Sequence, residues 1–393
     1  MKNSFFDVRA CETNPKWDNM IKRKEELYRR DNDIRTAFER DYTRIIHSLG
    51  YRRLKHKTQV VFSPDNDHIC TRIEHVIHVE SISYTIAKYL GLNPELTRAI
   101  ATAHDIGHSP FGHEGERILS RLSKRDIGES FWHEKNGVDL VDNIELLYDD
   151  KGFKRNMNLT YAVRDGIISH CGEIDENSLF PRDEAIDLKE YTYPNQFRPY
   201  TWEGCVVKIS DKISYLGRDI EDAIILGILD ENLEELYDIL GSRDIVINNT
   251  VIINDLIADL CENSSIEKGL TFSDSMFKKL NAIKKFNYEK IYSSNKLKDA
   301  SKYYNLILET IYETLKESYN NEEKVNSIAK DLLTDFKDWL SNYWNKERSS
   351  KNINSVVFNV DNEKDYLKAI ILFISGMTDN YAIDMYNKII KFI

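Results

Sequence analysis

The stretch His104-Asp105-Ile106-Gly107-His108-Ser109-Pro110-Phe111-Gly112-His113-Glu114-Gly115-Glu116 constrains this chain more than any other. It carries three histidines and three carboxylates, loosened by three glycines and one proline. Buried imidazoles and carboxylates each need a partner, so the segment is a poor piece of core and a good metal and proton-transfer site. Its approach is helical: Ala99, Ile100 and Ala103 recur at helical spacing behind Asn93 as cap and Pro94 at the first position. His104 and Asp105 therefore stand on the last turn of an apolar helix, which Gly107 is expected to stop. Adjacent side chains on a helix diverge by roughly 100°, so a shared ion has to sit off the helix end. His and Asp together suit a divalent ion of the Zn, Mn, Fe or Mg kind. Two ligands are too few to hold one, and the others must come from elsewhere in the chain.

The 393 residues, 41% hydrophobic and 30% charged, suffice for one large core or two domains. A net charge of -11 argues against broad electrostatic binding to nucleic acid or membrane, so a polyanionic substrate must be met by a local basic cluster. The five cysteines, Cys11, Cys70, Cys171, Cys205 and Cys261, form no Cys-x-x-Cys pair and no complete disulfide framework, which fits a reducing cytoplasm. No apolar run approaches the roughly 20 residues of a bilayer span. Met1 to Pro15 lacks the apolar centre of a signal peptide, so a soluble, unexported, cytoplasmic protein is expected. Walker-type, G-x-G-x-x-G, H-E-x-x-H and G-x-S-x-G motifs are absent.

From Trp17 to Leu49 the pattern reads as an arm and one or two helices. The basic runs Arg40 to Ser48 and Tyr51 to Val60 read, on charge patterning alone, as a solvated helix face. Val61 to Thr71, with Ser63-Pro64-Asp65-Asn66-Asp67, reads as a short extended piece and a turn. Arg72, His75, Val79, Ile82 and Ile86 then share one helical stripe facing the core, where a lone histidine is ordinarily a satisfied core residue; His78 points elsewhere. Phe131-Trp132-His133-Glu134 reads as a helix start, and Asp139 to Tyr148 and Leu159 to His170 as helical. Gly172 to Asn195 is a polar loop broken by Pro181 and Pro194. Val206 to Ile225 is a helix bearing Asp211, Tyr215, Arg218, Asp219 and Asp222 along one stripe. Its apolar flanks Val206, Val207, Ile209 and Ile224 imply burial, so that stripe must face something polar. Further helical stretches without a fixed repeat run to Ile393.

His104-Asp105 with Gly107-His108 and the downstream Pro-Phe-Gly-His-x-x-Glu resembles the signature of HD-domain phosphohydrolases, and more narrowly that of the deoxyguanosine triphosphate triphosphohydrolase family. The resemblance spans roughly Arg40 to Asp222 and includes the Arg-Arg-Leu-x-x-Lys-Thr-Gln-Val run and the helix Asp211 to Asp219. It implies an all-α fold: an N-terminal arm over 1–49, an HD-domain catalytic core over 50–228, and a helical C-terminal region over 229–393 completing the same unit. It implies one divalent metal ion per chain, Mn, Mg, Fe or Zn, held by His75, His104, Asp105 and Asp211. Gln59 and Tyr215 would lie by the sugar, Arg72, His108 and Lys212 by phosphate, and Asp219 near the substrate. His113, supported by Glu116, would transfer the proton, and His133 would help line the site. The implied activity is hydrolysis of a deoxynucleoside triphosphate to deoxynucleoside and tripolyphosphate by water attack at the α-phosphate, with dGTP among the substrates. Ser375-Gly376-Met377-Thr378-Asp379 resembles a segment of bacterial members, but Asn380 stands where an arginine usually follows. Relatives are commonly homo-oligomers, so assembly is expected. The competing readings are another HD nucleotide phosphohydrolase, a nucleotidase or phosphodiesterase, and a catalytically silent nucleotide-binding regulator.

Overall fold

The computed structural model describes residues 4–28, 32–60, 66, 68–171, 176–230, 233–241 and 248–391. Most of the turn expected at Ser63 to Asp67, and the start of the loop expected at Gly172, lie outside them.

Local capping explains where the first helices begin. Helix α1 (Ala37–His47) opens on a reciprocal cap between Thr36 and Glu39. In α2 (Arg72–Leu90) the Glu74 carboxylate accepts from the Thr71 backbone N–H at 2.7 Å, and Gly91 closes the helix at φ 84°. Helix α3 (Pro94–Ala103) starts as its sequence indicates: Asn93 Oδ1 accepts from the N–H groups of Glu95 and Leu96 at 2.9 and 3.2 Å. It ends earlier than expected, with His104 as its C-cap and Asp105 in the following turn. Gly107 is not the terminator. It is needed for close approach, because a Cβ there would lie 2.0 Å from the His133 carbonyl oxygen and 2.3 Å from the Gly137 nitrogen.

The helices that follow and bear on the site or its cores are α4 (Gly112–Asp126), α5 (His133–Asp139), α6 (Tyr161–Ser169), α7 (Trp202–Ile225), α8 (Asn249–Asn263), α9 (Asp274–Asn287), α10 (Asn295–Glu317), α11 (Lys330–Leu340), α12 (Glu363–Ser375) and α13 (Asp379–Ile390), with shorter helices at Glu234–Leu240 and Glu322–Ile328. The fold is all-α, and among the described residues its one sheet lies between α5 and α6. The expected helix through Tyr148 gives way after Ile144 to a hairpin in which β1 (Leu146–Tyr148) pairs antiparallel with β2 (Lys154–Asn156). Asp149 is the cause: its Oδ1 accepts from the N–H groups of Lys151 and Phe153, both at 2.9 Å, and this local bonding turns the chain back.

Three hydrophobic cores organise the helices. The long α7 anchors the first, burying Cys205, Val206, Ile209, Ile213, Leu216 and Ile220 against α2, α8 and α9. A second joins Ile118, Leu119 and Leu122 of α4 to Ile307, Leu308 and Ile311 of α10, with α12 and α13 behind. The third holds Phe38 and Ile45 of α1 against α3 and α6. Each fully buried Leu or Ile contributes about 1.5–3 kcal/mol, so these faces fix the frame that carries the polar residues between them.

The basic run is less solvated than its charge pattern suggests. Arg44 Nε donates to the Met157 carbonyl at 2.6 Å, and Lys57, only 2% exposed, donates through Nζ to the carbonyls of Ser375, at 2.7 Å, and His108. Buried carbonyls without helical partners recruit these cations. Among the described residues, no helix is long and apolar enough to cross a membrane.

Candidate functional site

A cavity of about 660 Å³ opens among α2, α4, α7 and α10 and is floored by the His104 to Phe111 turn. That size falls within the usual range for small-molecule and cofactor sites, about 300–1,000 Å³.

At its base α2 delivers His75, the end of α3 delivers His104 and Asp105, and α7 delivers Asp211. His75 Nε2 lies 3.0 Å from Asp211 Oδ1, 3.4 Å from His104 Nε2 and 3.7 Å from Asp105 Oδ2. His104 Nε2 is 3.5 Å from Asp105 Oδ1 and 3.8 Å from Asp211 Oδ1. The far nitrogens are anchored: His104 Nδ1 donates to the Ala101 carbonyl at 2.6 Å, and His75 Nδ1 meets Ser214 Oγ at 3.3 Å. Ser214 Oγ itself donates to the Asp211 carbonyl, which leaves it free to accept from His75. Both imidazoles thus turn Nε2 inward, the orientation metal-bound histidines take when backbone or side-chain acceptors hold the other nitrogen. Although burial favours its neutral form, neighbouring His104, Arg72 and His108 hold the Asp105 carboxyl well below the usual range. Burial likewise opposes ionisation of Asp211, yet its bond to His75 and the charge of His104 hold it low. Two inward-facing imidazole nitrogens and two carboxylates, with His75, His104 and Asp105 buried and Asp211 half-buried at the cavity edge, form a donor set suited to a divalent ion.

Residues expected to meet the substrate gather on the same cavity. Gln59, Arg72, His108, Lys212, Tyr215 and Asp219 all line it. The buried Oε1 of Gln59 has no protein partner. Arg72, 1% exposed, is already engaged: Nη1 donates to Asp105 Oδ2 at 2.6 Å and Nη2 to the Gln59 carbonyl at 3.1 Å. His108 Nε2 approaches Asp105 Oδ1 at 3.1 Å. Asp219 accepts from the Tyr292 hydroxyl; burial pushes its carboxyl up to about 7 against that bond, aided by the charge of Asp222.

The residues expected to handle the proton form a chain rather than a pair. Glu116 Oε2 lies 3.9 Å from His113 Nδ1 and only 2.7 Å from His133 Nδ1. His133 is buried, stacks on His108 with centroids 3.7 Å apart, and contacts Cys171 Sγ through Nε2 at 3.3 Å. His113 lies at the mouth, its side chain 69% exposed.

Several cavity residues escaped the sequence reading. His170 sits behind the His75, His104, Asp105 and Asp211 cluster, its ring 4.9 Å from that of His104 and its buried Nε2 without a partner. Its position at the end of the buried helix α6, beside Cys171, was the available signal. Lys208 crosses from α7 to the carbonyls of Ser169, at 3.1 Å, and Cys171, and burial pulls its ammonium down to about 8. Tyr292, Lys298 and Tyr304 come from the C-terminal half, where no motif marked them. With five cationic side chains against four carboxylates among the residues lining it, the cavity wall already favours an anionic ligand, and a divalent ion would add to that.

The chain is similar to known proteins over most of its length. The HD domain pattern matches residues 72–216, and a phosphohydrolase-associated domain matches 270–388. HD domains are metal-dependent. A deoxyguanosinetriphosphate triphosphohydrolase-like protein of Caldanaerobacter subterraneus subsp. tengcongensis is 33% identical over 359 residues, covering 91% of this chain and 86% of that protein. One of the same description from Pelagibacter ubique is 34% identical over 383 residues, covering 93% and 97%. A third, from Clostridium tetani, is 32% identical over 363 residues, covering 91% and 86%. With the His and Asp cluster inside the matched HD segment, this chain belongs to the deoxyguanosinetriphosphate triphosphohydrolase-like family of HD-domain phosphohydrolases.

Proposed function

We propose that the protein hydrolyses a deoxynucleoside triphosphate, dGTP among the candidates, to deoxynucleoside and tripolyphosphate. The observation that carries the reading is the meeting, in one cavity, of the His75, His104, Asp105, Asp211 cluster with cationic side chains and a Gln59, Tyr215 and Asp219 wall. Those four residues would hold a divalent ion, which supplies Lewis-acid polarisation and activates water at neutral pH. Arg72, His108 and Lys212 receive the phosphates. Gln59, Tyr215 and Asp219 grip the sugar end, so the phosphate nearest the nucleoside is the one presented to the cluster. Water oxygen bonds to the α-phosphorus, the bond to the 5′-oxygen breaks, and His113 gives that oxygen its proton, with Glu116 and His133 orienting and recharging it. In this reading the C-terminal region 229–393 forms one unit with the 50–228 core, which the presence of Tyr292, Lys298 and Tyr304 on the cavity wall supports. A homo-oligomer is the assembly we expect.

The test is product analysis across the four deoxynucleoside triphosphates and their ribose counterparts. The reading expects deoxynucleoside with intact tripolyphosphate and strong preference for the deoxy sugar. Stepwise release of monophosphate, or equal rates on ribose and deoxyribose substrates, would replace it with another HD nucleotide phosphohydrolase. Binding without turnover would leave a silent regulator.

A further inference from the structure

The proton-transfer residues have metal-site geometry of their own. His108, His113, Glu116 and His133 each bring a ligand-type atom into one group whose members lie within 4.8 Å of one another. Glu116 Oε2 is shared between His133 Nδ1 at 2.7 Å and His113 Nδ1 at 3.9 Å, and the rings of His108 and His113 are 5.1 Å apart. A second, independent observation comes from His108. Its Nε2 is engaged by Asp105 at 3.1 Å, while its Nδ1 is buried with no partner, in a residue only 1% exposed. Leaving a buried polar nitrogen unsatisfied is unfavourable, and a cation in the cluster would remove that cost.

The donor set indicates which cation. Three imidazoles and one carboxylate make a nitrogen-rich, four-ligand set that suits zinc, whereas manganese and magnesium prefer oxygen ligands. The neighbouring His75, His104, Asp105, Asp211 group has two carboxylates and accepts a wider range. The two clusters therefore differ in selectivity as well as in position.

We propose that His108, His113, Glu116 and His133 form a second, zinc-selective site, and that zinc bound there halts the enzyme by occupying the groups that carry the proton. Zinc binding requires the His133 ring to turn out of its face-to-face stack on His108, since the in-plane lone pairs of stacked rings cannot meet at one ion; its inhibitory effect rests on the proposed function. Zinc on the His113 nitrogen and the Glu116 carboxylate leaves neither able to hold or deliver a proton. Magnesium and manganese, weakly held by imidazoles, would not have this effect at the same concentration.

The experiment is metal counting. Full-length protein stripped with chelator is brought to equilibrium by dialysis against excess manganese or excess zinc and analysed by elemental analysis. The expected result is one manganese per chain but two zinc, and one zinc in His113→Ala, whose 69% exposed side chain makes that variant safe for folding. Cobalt serves as a spectroscopic check: its second equivalent should bring the visible absorption of a four-coordinate site, absent in His113→Ala. A single zinc in the wild type, or two in both proteins, would overturn the site. Zinc added to manganese-loaded enzyme should suppress tripolyphosphate release, and one equivalent of chelator should restore it. Two zinc ions with undiminished turnover would overturn the inhibitory half. If no deoxynucleotide is cleaved at all, the function reading fails while the zinc count still decides this one.

Discussion

Asp379, at the first turn of α13 and 2% exposed, ties the C-terminal region to two sides of the cavity. Its Oδ2 accepts from the Thr58 N–H at 2.8 Å, beside Gln59, and its Oδ1 accepts from the Phe111 N–H at 2.9 Å, just ahead of α4. Phe111 sits at φ 60°, a left-handed conformation that costs a bulky residue about 1–3 kcal/mol. That backbone is held by Asp379 on one side and by the Tyr304 ring, stacked 4.5 Å away, on the other. Asp379→Ala removes both acceptors and leaves two buried N–H groups unsatisfied, at about 1–3 kcal/mol each. It also removes the carboxylate beside the buried Lys57 ammonium. The sum predicts a loss of about 2–6 kcal/mol, measurable by urea unfolding from the shift in midpoint. Asp379→Asn keeps one acceptor oxygen and should lose about half as much. In folded Asp379→Asn, Gln59 is displaced, so KM for a deoxynucleotide should rise more than kcat falls. A loss below about 1 kcal/mol for Asp379→Ala would refute the claim that these two bonds hold the cavity walls together.

Other perturbations test separate parts of the account. His104→Ala or Asp211→Ala should lose most of the metal bound at the HD cluster, and full metal content by elemental analysis in either would remove that residue from the ligand set. His113→Ala should keep its metal there and lower turnover by about 10²-fold or more, the range for a lost general acid; an unchanged rate would take His113 out of the mechanism. Burial pushes the Asp139 carboxyl up to about 6, so the folded chain binds this proton before the unfolded chain does as pH falls. Its contribution to stability is therefore present on the acid side and lost as pH rises through about 6. Asp139→Asn, uncharged throughout, should melt higher than the wild type above that pH and converge with it near the ordinary carboxylate value of about 4; a constant offset in thermal melts would contradict the assignment.

What the sequence disclosed depended on whether a residue announced itself locally. Asn93 and Pro94 fixed the start of α3 because capping is a contact between near neighbours, and the helical period of Arg72, His75 and Val79 correctly turned them inward. The acidic stripe on α7 pointed to a polar partner because a buried helix cannot face carboxylates at apolar side chains. The misses were long-range. Charge patterning made Lys57 look solvated because nothing nearby revealed that the His108 and Ser375 carbonyls would need its ammonium. Gly107 looked like a helix stop, yet what demands a glycine is the approach of α5, about 30 residues on, a contact invisible in the local pattern. Tyr292 reaches Asp219 from a turn with no chemical signature, so only the packing of the C-terminal half reveals it.

The bond that is cut tests the central claim most directly. With protein carrying its metal, a deoxynucleoside triphosphate and water enriched in heavy oxygen, mass spectrometry of the first products locates the attacked atom. The account predicts label in the tripolyphosphate, an unlabelled deoxynucleoside hydroxyl, and no diphosphate intermediate. Label in the nucleoside, or monophosphate and deoxynucleoside diphosphate as the first products, would contradict it.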